Sequence, residues 1–396
     1  MKSLSQEEAL KSILTKVKPL LREYIPVENC VGRTLATDMV SKIFSPPANS
    51  AAMDGYGVNN LNFSNDNIFT LIGEVAAGKN YKKDILPGQA IRIFTGASVP
   101  NGVNKIFPQE KLEKKEGDKL KFLQSRESFI RPKGSSFKLG FKLKKDTLLN
   151  PTNISLLASM NFNKIPVRKK AKVAIISIGN ELLYPGSKLT KAKIISSNAY
   201  GIKAFCERKM ADVHLQPIVP DKLDKIVKII TKCLQYDIII TIGGASVGKF
   251  DLVEDAAEKA GIKFLFTRIN MKPGKPFKAG KKDKTLLLSM PGNPVSSLIC
   301  SQIFLGPVLD KFQAINKKQS IIKASLVQGL SKNGPRKHYM RAEATLKNNK
   351  WFVKPYSDQN SHNLAVMNKA NSLIIRREFD DAVQTGELVK IIKLEI

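Results

Sequence analysis

The clearest pattern along the chain is a set of short apolar runs that each end in glycine. They are KVAIISIG (172–179), YDIIITIGG (236–244) and TLLLSMPG (285–292). Strands that are buried on both faces of a parallel sheet have continuous apolar runs of this kind. The runs therefore predict three central strands of a parallel sheet.

Helical patterns alternate with these runs. Residues 221–235 repeat apolar positions every three or four residues, and Asp221 is their predicted N-cap. Asp251 is predicted to begin a second helix, and Asn293 followed by a proline predicts the start of a third. Strands that alternate with helices predict a three-layer α/β domain, whose ligand lies beyond the carboxyl ends of the strands.

The flanking regions are richer in short strand patterns and turns. Ser5 and Glu8 form a predicted capping box for an N-terminal amphipathic helix, and Asn348-Asn349 predicts a hairpin near the other end. The predicted organisation is a linking domain (1–45 and 131–168), a β-rich inserted domain (46–130), the α/β domain (169–317) and a C-terminal β domain (318–396).

Composition adds a strong positive charge. Lys and Arg number 65 against 34 Asp and Glu, which gives a net charge of +31. The sequence has no zinc-finger spacing, RNP-like strand or aromatic ladder, so we expect a solvated basic surface that attracts small anions rather than a nucleic-acid-binding protein. It also has no apolar stretch of membrane-spanning length and no signal peptide. With four widely spaced cysteines, these features predict a cytoplasmic protein with reduced thiols and no membrane partner.

The stretch NMKPGKPFKAG (270–280) is the first candidate site. Lys272 and Lys275 flank Pro273-Gly274, and the prolines reduce the entropy cost of holding two charges together. Lysine is a compact charge that suits an oxyanion. The alternative is a solvated pair of surface lysines.

Two glycine-rich turns follow predicted strands. TIGGASVGKFD (241–251) has nearly the spacing of a phosphate loop, but Phe250 stands where that loop needs Ser or Thr, so we reject a nucleotide hydrolase. Glycine backbone N–H groups still suit an anion. SMPGNPVSS (289–297) presents Ser296 in a similar way, and plain turns are the alternative for both.

The remaining candidates are single polar residues in turns and at a strand edge, where a structural role is the alternative. The three histidines have no metal-ligand spacing, so zinc is not expected, whereas magnesium held by carboxylates and substrate phosphates stays open. The candidates are Asp54 in ANSAAMDGYGV, Thr95 in TGASVPNG, Glu181 in SIGNELL, and Arg336 and Arg341 in GPRKHYMRAE.

Taken together, these segments resemble the molybdopterin molybdenumtransferase family, of the MoeA and gephyrin E-domain type. The matching stretches are PPANSAAMDGYGV, TGASVPNG, SIGNELL, GGASVGKFD, KPGKPF, SMPGNPVSS, the arginine segment and QNSHNL, in the family's order along nearly the whole chain.

The resemblance implies an elongated homodimer of four-domain subunits. Its central domain resembles the molybdopterin adenylyltransferase fold, its C-terminal domain is a small β-barrel, and the active site lies between the central domain of one subunit and parts of the other. The implied reaction inserts molybdate into adenylylated molybdopterin and releases AMP, assisted by Mg²⁺. A molybdopterin adenylyltransferase and molybdoenzymes are further possible partners.

The resemblance also implies roles for individual residues. The residues implied to hold molybdate are Lys272, Lys275, Ser296, Arg336, Arg341 and Ser361. Those implied to bind molybdopterin and nucleotide are Gly243, Gly244, Ser246, Gly248, Pro291, Gly292 and Asn293. The catalytic set is Asp54, Thr95, Glu181, Asp221 and Asp251, of which Glu181 and Asp251 are the implied metal ligands.

The chain departs from the family's pattern at positions that are often polar or acidic. It has Ser135-Ser136, Asn180, Ser196 and Ala365-Val366 there. The resemblance therefore leaves three alternatives open: a tungstate-handling paralogue, a molybdopterin adenylyltransferase and a gephyrin-like dimeric scaffold.

Overall fold

The structure, a computed structural model, describes residues 3–60, 68–123, 127–244, 252–317 and 320–395. The chain forms two compact units. The first comprises Met1–Glu23, Gly32–Ala36 and Pro166–Ile396, and the second comprises Tyr24–Val31 and Thr37–Ile165. The predicted boundaries of the four domains stay a prediction.

The helices of the described residues are short. They are α1 (Gln6–Leu14), α2 (Pro151–Ser159), α3 (Asn198–Arg208), α4 (Leu223–Cys233), α5 (Leu252–Lys259), α6 (Pro294–Cys300), α7 (Gly306–Phe312) and α8 (Leu364–Lys369), with 3-10 turns at Val27–Asn29 and Gln109–Lys111 and a π-helical turn at Ser301–Leu305.

The strands fall into an N-terminal and a C-terminal set. The N-terminal set is β1 (Arg22–Pro26), β2 (Met39–Val40), β3 (Ser50–Ala51), β4 (Gly55–Val58), β5 (Ile68–Val75), β6 (Gln89–Ile93), β7 (Lys105–Pro108), β8 (Leu112–Glu116), β9 (Lys119–Phe122), β10 (Ile130–Arg131), β11 (Lys142–Leu143) and β12 (Lys164–Arg168). The C-terminal set is β13 (Lys172–Ser177), β14 (Leu182–Leu183), β15 (Ile194–Ile195), β16 (Asp212–Leu215), β17 (Ile238–Ile242), β18 (Lys263–Phe266), β19 (Met271–Lys272), β20 (Lys278–Lys282), β21 (Thr285–Met290), β22 (Ile321–Leu326), β23 (Lys337–Lys347), β24 (Lys350–Pro355), β25 (Ser372–Arg376) and β26 (Leu388–Lys393).

The central sheet of the first unit has the order β16-β13-β17-β21-β20-β18. Its first four strands are parallel, and the three predicted apolar runs form β13, β17 and β21 at its centre. The strands β20 and β18 extend the sheet in antiparallel fashion, which the apolar pattern did not predict.

Helices cover both faces of this sheet. Val173 and Ile175 point into a core with α1, α3, α6 and α7, while the alternate residues Ala174 and Ile176 point into a core with α4 and α5. The predicted three-layer α/β architecture is therefore confirmed.

The first residues of the helices show which local sequence signals were enough to predict an N-cap. The capping box of Ser5 and Glu8 is present, and α6 begins at Pro294 with Asn293 as its N-cap. The prediction that Asp221 caps α4 is wrong: the N-cap is Lys222, because the Asp221 carboxylate accepts a hydrogen bond from the backbone N–H of Asn180 instead. Asp251 lies outside the described residues.

One long apolar helical segment runs from Pro294 to Phe312. It meets the length and composition of a membrane span, yet 78% of that window is buried inside the protein. It packs against the central sheet, so it is a core helix within the described residues.

The C-terminal strands close into a five-stranded barrel. The order is β23-β24-β22-β26-β25, and β25 pairs again with β23. Asn348 and Asn349 both have positive φ between β23 and β24, as a two-residue hairpin requires. The predicted hairpin and the β-barrel are confirmed.

The second unit is built on a six-stranded sheet of order β7-β4-β6-β5-β9-β8. Its cores contain Ile91, Ile93 and Phe107, and the ring of Phe107 stacks on that of Phe122 at a centroid distance of 4.7 Å. This region is β-rich, as the sequence predicts.

Candidate active site

The turn that carries Lys272 and Lys275 is fixed to the core of the first unit. Phe277 follows it and is fully buried, with its ring stacked on Phe304 at 4.5 Å. Gly274 lies between the lysines at φ 116°, and a Cβ there would lie 2.6 Å from Met271 Cε. Only glycine therefore fits the turn, which holds both ammonium stems on one stiff segment.

The same turn is joined to the C-terminal barrel. The strand β19 pairs in parallel with β23, which places Lys272 beside His338. The Asn270 side chain donates to Pro335 O at 2.9 Å, next to Arg336. Strand pairing thus brings Arg336 to the side of the lysine turn.

The loop between β24 and α8, here called the barrel loop, also meets the start of α6. The backbone N–H of Val295 donates to Ser361 O at 3.1 Å. Asp358 organises this loop, because its carboxylate accepts hydrogen bonds from the Asn360 N–H at 2.7 Å and from the Asn363 amide at 2.6 Å. These hydrogen bonds hold the pKa of Asp358 below its usual value. Ser296 and Ser361 are therefore neighbours along one joined pair of turns.

These elements surround one cavity of about 690 Å³, here called the anion pocket. Seven predicted site residues line it, together with other residues of the barrel loop. The predicted residues that line it are Lys272, Lys275, Pro291, Asn293, Ser296, Arg336 and, from the loop, Ser361.

The anion pocket is strongly positive. Among the residues that the structure describes, none of Lys272, Lys275 and Arg336 forms a salt bridge, so their charges stay available to a ligand. His338 reports the resulting field: burial, followed by the charges of Lys272 and Arg336, lowers its pKa to about 4. Burial and these neighbouring charges therefore both favour the neutral imidazole of His338.

Arg341 is not among the residues that line the anion pocket, and its implied role in holding molybdate stays a prediction. It is buried, and its guanidinium donates to Asp358 O at 3.0 Å and to Asn363 O at 3.1 Å. Its backbone N–H donates to the Gln359 side chain. Arg341 therefore shapes the loop that carries Ser361, because β23 directs its side chain beneath that loop.

The glycine turns lie at the carboxyl ends of β17 and β21. Gly243 has φ 86°, and a Cβ there would lie 2.3 Å from Ile178 O. A Cβ on Gly292 would lie 3.7 Å from Gly243 Cα, so the two turns are in contact. Gly244 follows at φ 65°. The described part of this edge thus presents backbone close to any ligand that lies above it, as a phosphate site needs.

The end of β13 carries acidic residues on the same edge. The Asn180 and Asp221 segments are joined by reciprocal hydrogen bonds, and Lys193 Nζ donates to Asn180 O. Glu181 is exposed, and its carboxylate packs against Gly179, where a Cβ would lie 2.4 Å from Glu181 Oε2. Ser196 is buried and donates to the Ser177 hydroxyl at 3.1 Å.

One carboxylate at this edge, that of Glu181, could bind a metal ion. Within residues 3–60, 68–123, 127–244, 252–317 and 320–395, no three His, Cys, Asp or Glu side chains form a metal-binding group. Mg²⁺ is commonly held by one or two carboxylates with substrate phosphates and water. Glu181 fits that requirement, whereas one oxygen of Asp221 already accepts the Asn180 N–H.

The remaining predicted residues belong to the second unit or lie outside the described residues. Asp54 and Thr95 belong to the second unit, where the Thr95 N–H and hydroxyl both donate to Asp54 Oδ1 at 2.7 Å. These hydrogen bonds lower the pKa of Asp54. Ser246, Gly248 and Asp251 lie outside the described residues.

Sequence reasoning missed His338 and most of the barrel loop. Ser357, Asp358, Gln359 and Asn360 line the anion pocket beside Ser361. Part of this loop lies in the QNSHNL stretch, which was a usable signal. The position of His338 depends on the pairing of β19 with β23, and a pairing between segments so far apart has no local signal.

Three family models match successive parts of the chain. They are the MoeA N-terminal region (domain I and II) at residues 4–161, a probable molybdopterin binding domain at 174–311, and the MoeA C-terminal region (domain IV) at 323–394.

Two relatives that match over most of their length share a name. A molybdopterin molybdenumtransferase of Haemophilus influenzae is 29% identical over 98% of each chain, and one of Nostoc sp. is 30% identical over 92% of this chain and 87% of its own.

Solved structures agree with this relation. A molybdopterin biosynthesis MoeA protein from Pyrococcus horikoshii OT3 has a TM-score of 0.81 and 27% identity, and covers 99% of this chain and 100% of its own. A second Pyrococcus structure, at 24% identity and a TM-score of 0.86 over the full length of both chains, supports the fold alone. Because the match extends through all three regions and over nearly the whole length, the chain belongs to the molybdopterin molybdenumtransferase family, enzymes of molybdenum cofactor biosynthesis.

Proposed function

We propose that this protein takes adenylylated molybdopterin and molybdate, inserts the metal at the dithiolene and releases AMP. The observation that carries the proposal is the anion pocket, where Lys272, Lys275 and Arg336 lie around one cavity without salt-bridge partners among the described residues. Molybdate is a tetrahedral dianion. Lysine ammonium groups and serine hydroxyls suit it because they place single donors around it without needing a planar partner.

The glycine turns supply the second half of the proposed site. Gly243 and Gly292 let backbone approach the substrate phosphates at the edge where β17 and β21 end. Release of AMP is hydrolysis of a phosphoanhydride, so positioned donors and cations stabilise the charge that develops on the phosphate oxygens. Lys193, fixed on Asn180 O at the same edge, adds a cation there.

Magnesium belongs to the proposal as the assisting cation. Glu181 would hold it, with substrate phosphates and water as the other ligands. When bound, it would offset phosphate charge. The protein's own residues orient the substrate around it: Asn180 and Asp221 fix the loop that carries Glu181.

The partners follow from the same chemistry. A second copy of the chain is the proposed partner in a homodimer, and the Asp54–Thr95 pair is the proposed contribution of the second unit. The reaction also requires an enzyme that adenylylates molybdopterin and molybdoenzymes that accept the product. We place all of them in the cytoplasm.

The test compares two substrate mixtures. Purified protein is incubated without oxygen, either with adenylylated molybdopterin and molybdate or with molybdopterin and ATP, and AMP release and reconstitution of a molybdoenzyme apoprotein are measured. We expect activity only in the first mixture, and a reduction of about 100-fold in Lys275→Ala. Lys350→Ala, in the exposed β23–β24 hairpin, is the matched control and should keep full activity.

Other outcomes would change the assignment. Turnover of ATP in the second mixture would make the protein a molybdopterin adenylyltransferase. Preference for tungstate in the first mixture would make it a tungstate-handling paralogue. Lys275→Ala with unchanged AMP release and cofactor formation would contradict the role of the anion pocket.

A further inference from the structure

A second cavity lies at the opposite end of the central sheet. It has a volume of about 630 Å³ and is here called the lysine cleft. The strands β13, β17 and β21 start beside it, since Lys172, Asp237 and Leu286 line it and lie at or next to their first residues. The anion pocket lies beyond the carboxyl ends of the same strands. Because β20 runs antiparallel to β21, its last residues also reach the cleft. The two cavities are therefore separate sites of one unit.

The lysine cleft is far more basic than the chain as a whole. Seven of its sixteen lining residues are lysine, and two are aspartate. Lys and Arg together make up only 65 of the 396 residues, so the general bias of the composition does not account for the cluster. The lysines come from three segments: Lys16 and Lys18, then Lys169, Lys170 and Lys172, then Lys281 and Lys284.

Within the described residues, these lysines form no ion pairs with the protein's own acidic groups. In the described parts of the chain, none of the seven forms a salt bridge, although the structure pairs other lysines such as Lys209 with Asp310 and Lys278 with Glu254. Clustered like charges repel one another. An anionic partner would remove that repulsion.

The backbone that carries them is nevertheless well ordered. Lys169 N–H donates to Leu21 O at 2.9 Å, and Lys172 N–H donates to Asp237 Oδ2 at 2.9 Å. The Gln313 amide donates to Lys169 O at 2.7 Å. The cleft therefore has a hydrogen-bonded backbone beneath several long charged side chains, which suits an extended charged partner.

The chemistry of the lining selects among anionic partners. Leu21 is 77% exposed beside Pro19 and Leu20, so apolar surface lies open among the lysines. The lining has no Tyr, Trp or Arg, and its one Phe, Phe312, is buried. Base stacking, which supports binding to single-stranded nucleic acid, is therefore not available there.

We propose that the lysine cleft docks an acidic segment of a partner protein that also carries apolar side chains. The carboxylates of the segment would pair with the lysines, and an apolar side chain would cover Leu21. This inference does not depend on the proposed reaction, since the cleft shares no residue with the anion pocket.

The test uses the full chain and a fluorescently labelled peptide in which Glu and Leu alternate. Anisotropy at physiological salt should show saturable binding, and a peptide with Gln in place of Glu should bind at least about tenfold more weakly. Lys18→Glu combined with Lys170→Glu should weaken binding of the acidic peptide by a similar factor. Leu21→Ser should weaken it less, by about threefold, because only apolar contact is lost.

The matched control reverses two exposed lysines outside the cleft, Lys347→Glu and Lys350→Glu, which changes the net charge by the same amount. It should leave peptide binding within about twofold. Equal weakening by both double variants would overturn the proposal, because a diffuse field would then explain binding. Tighter binding of inorganic polyphosphate or single-stranded RNA through Lys18 and Lys170, unaffected by Leu21→Ser, would also overturn it. Activity in the AMP-release assay should be unchanged in the cleft variants.

Discussion

The two ends of the central sheet both gather lysines, but they hold them in different ways. At the carboxyl end, Lys272 and Lys275 lie on a turn braced by prolines, anchored by Phe277 and paired through β19 with the barrel. At the amino end, the lysines of the cleft lie around an exposed leucine and form no salt bridges among the described residues.

This difference in support distinguishes a site that binds a small anion selectively from a surface that attracts anions in general. A small tetrahedral ligand needs donors at defined positions. Arg341 and Asp358 help to fix those positions through their hydrogen bonds within the barrel loop. An extended acidic partner needs many adjustable charges and little geometry. Net charge alone, at +31, distinguishes neither.

The largest expected effect is at the anion pocket. Lys272→Ala should reduce molybdate-dependent AMP release by about 100-fold, because a fixed cation next to the anion is lost. Lys172→Ala removes the same side chain at the other end of the sheet and should stay within about twofold of the unchanged protein. Single-turnover kinetics measure both. Equal losses of AMP release in the two variants would show that lysines at both ends of the sheet contribute alike to the reaction.

The second-largest effect is expected when Arg341, which supports the barrel loop from beneath, is replaced. Arg341→Met leaves the carbonyls of Asp358 and Asn363 without their donor, so the free energy of unfolding should fall by about 2–4 kcal/mol. Affinity for molybdate should fall by about tenfold because Ser361 is no longer held in place. Urea unfolding and calorimetric titration measure these changes. Arg341→Lys should restore little, since an ammonium cannot reach both carbonyls; full restoration would show that charge alone matters.

The smallest expected effect is a dependence on pH. The pKa of His338 is about 4 in the folded protein against 6.5 normally, so below pH 6.5 the unfolded chain binds a proton that the folded protein does not. The contribution of His338 to the free energy of unfolding should therefore fall by up to about 3 kcal/mol between pH 6.5 and 4 and then level off.

His338→Gln isolates that contribution. Denaturant unfolding of both proteins across this range should give a difference curve with its slope between pH 6.5 and 4. A flat difference curve would mean that neither burial nor the cations of the anion pocket lower the pKa of His338. The cleft has no histidine in its lining, so its variants should not change the curve.

Much of the fold was predictable because its signals are local. The three apolar runs, the Ser5–Glu8 capping box and the Asn348-Asn349 hairpin each depend on neighbouring residues, and each formed as predicted. The family resemblance extended this to the barrel and to the residues that meet in the anion pocket.

The wrong helix cap and the undecided choice between two arginines have one physical cause, which is a partner far away in sequence. Asp221 is of a residue type that often caps helices. Its carboxylate nevertheless accepts a hydrogen bond from the backbone N–H of Asn180, a residue of another loop. Arg341 matched the arginine segment as well as Arg336 did, but only the register of β23 and the position of the loop from Asp358 to Asn363 decide which arginine faces the cavity. Local patterns carry no information on such pairings.

The parallel pairing of β19 with β23 also sets when the site can exist during synthesis. Lys272 and Lys275 leave the ribosome well before the strands that close the barrel, β25 and β26, have been made. Before β23 and the loop of Ser361 have been made, the turn has neither Arg336 nor that loop beside it. A chain that ends before β23 would therefore carry both lysines and lack the rest of the anion pocket.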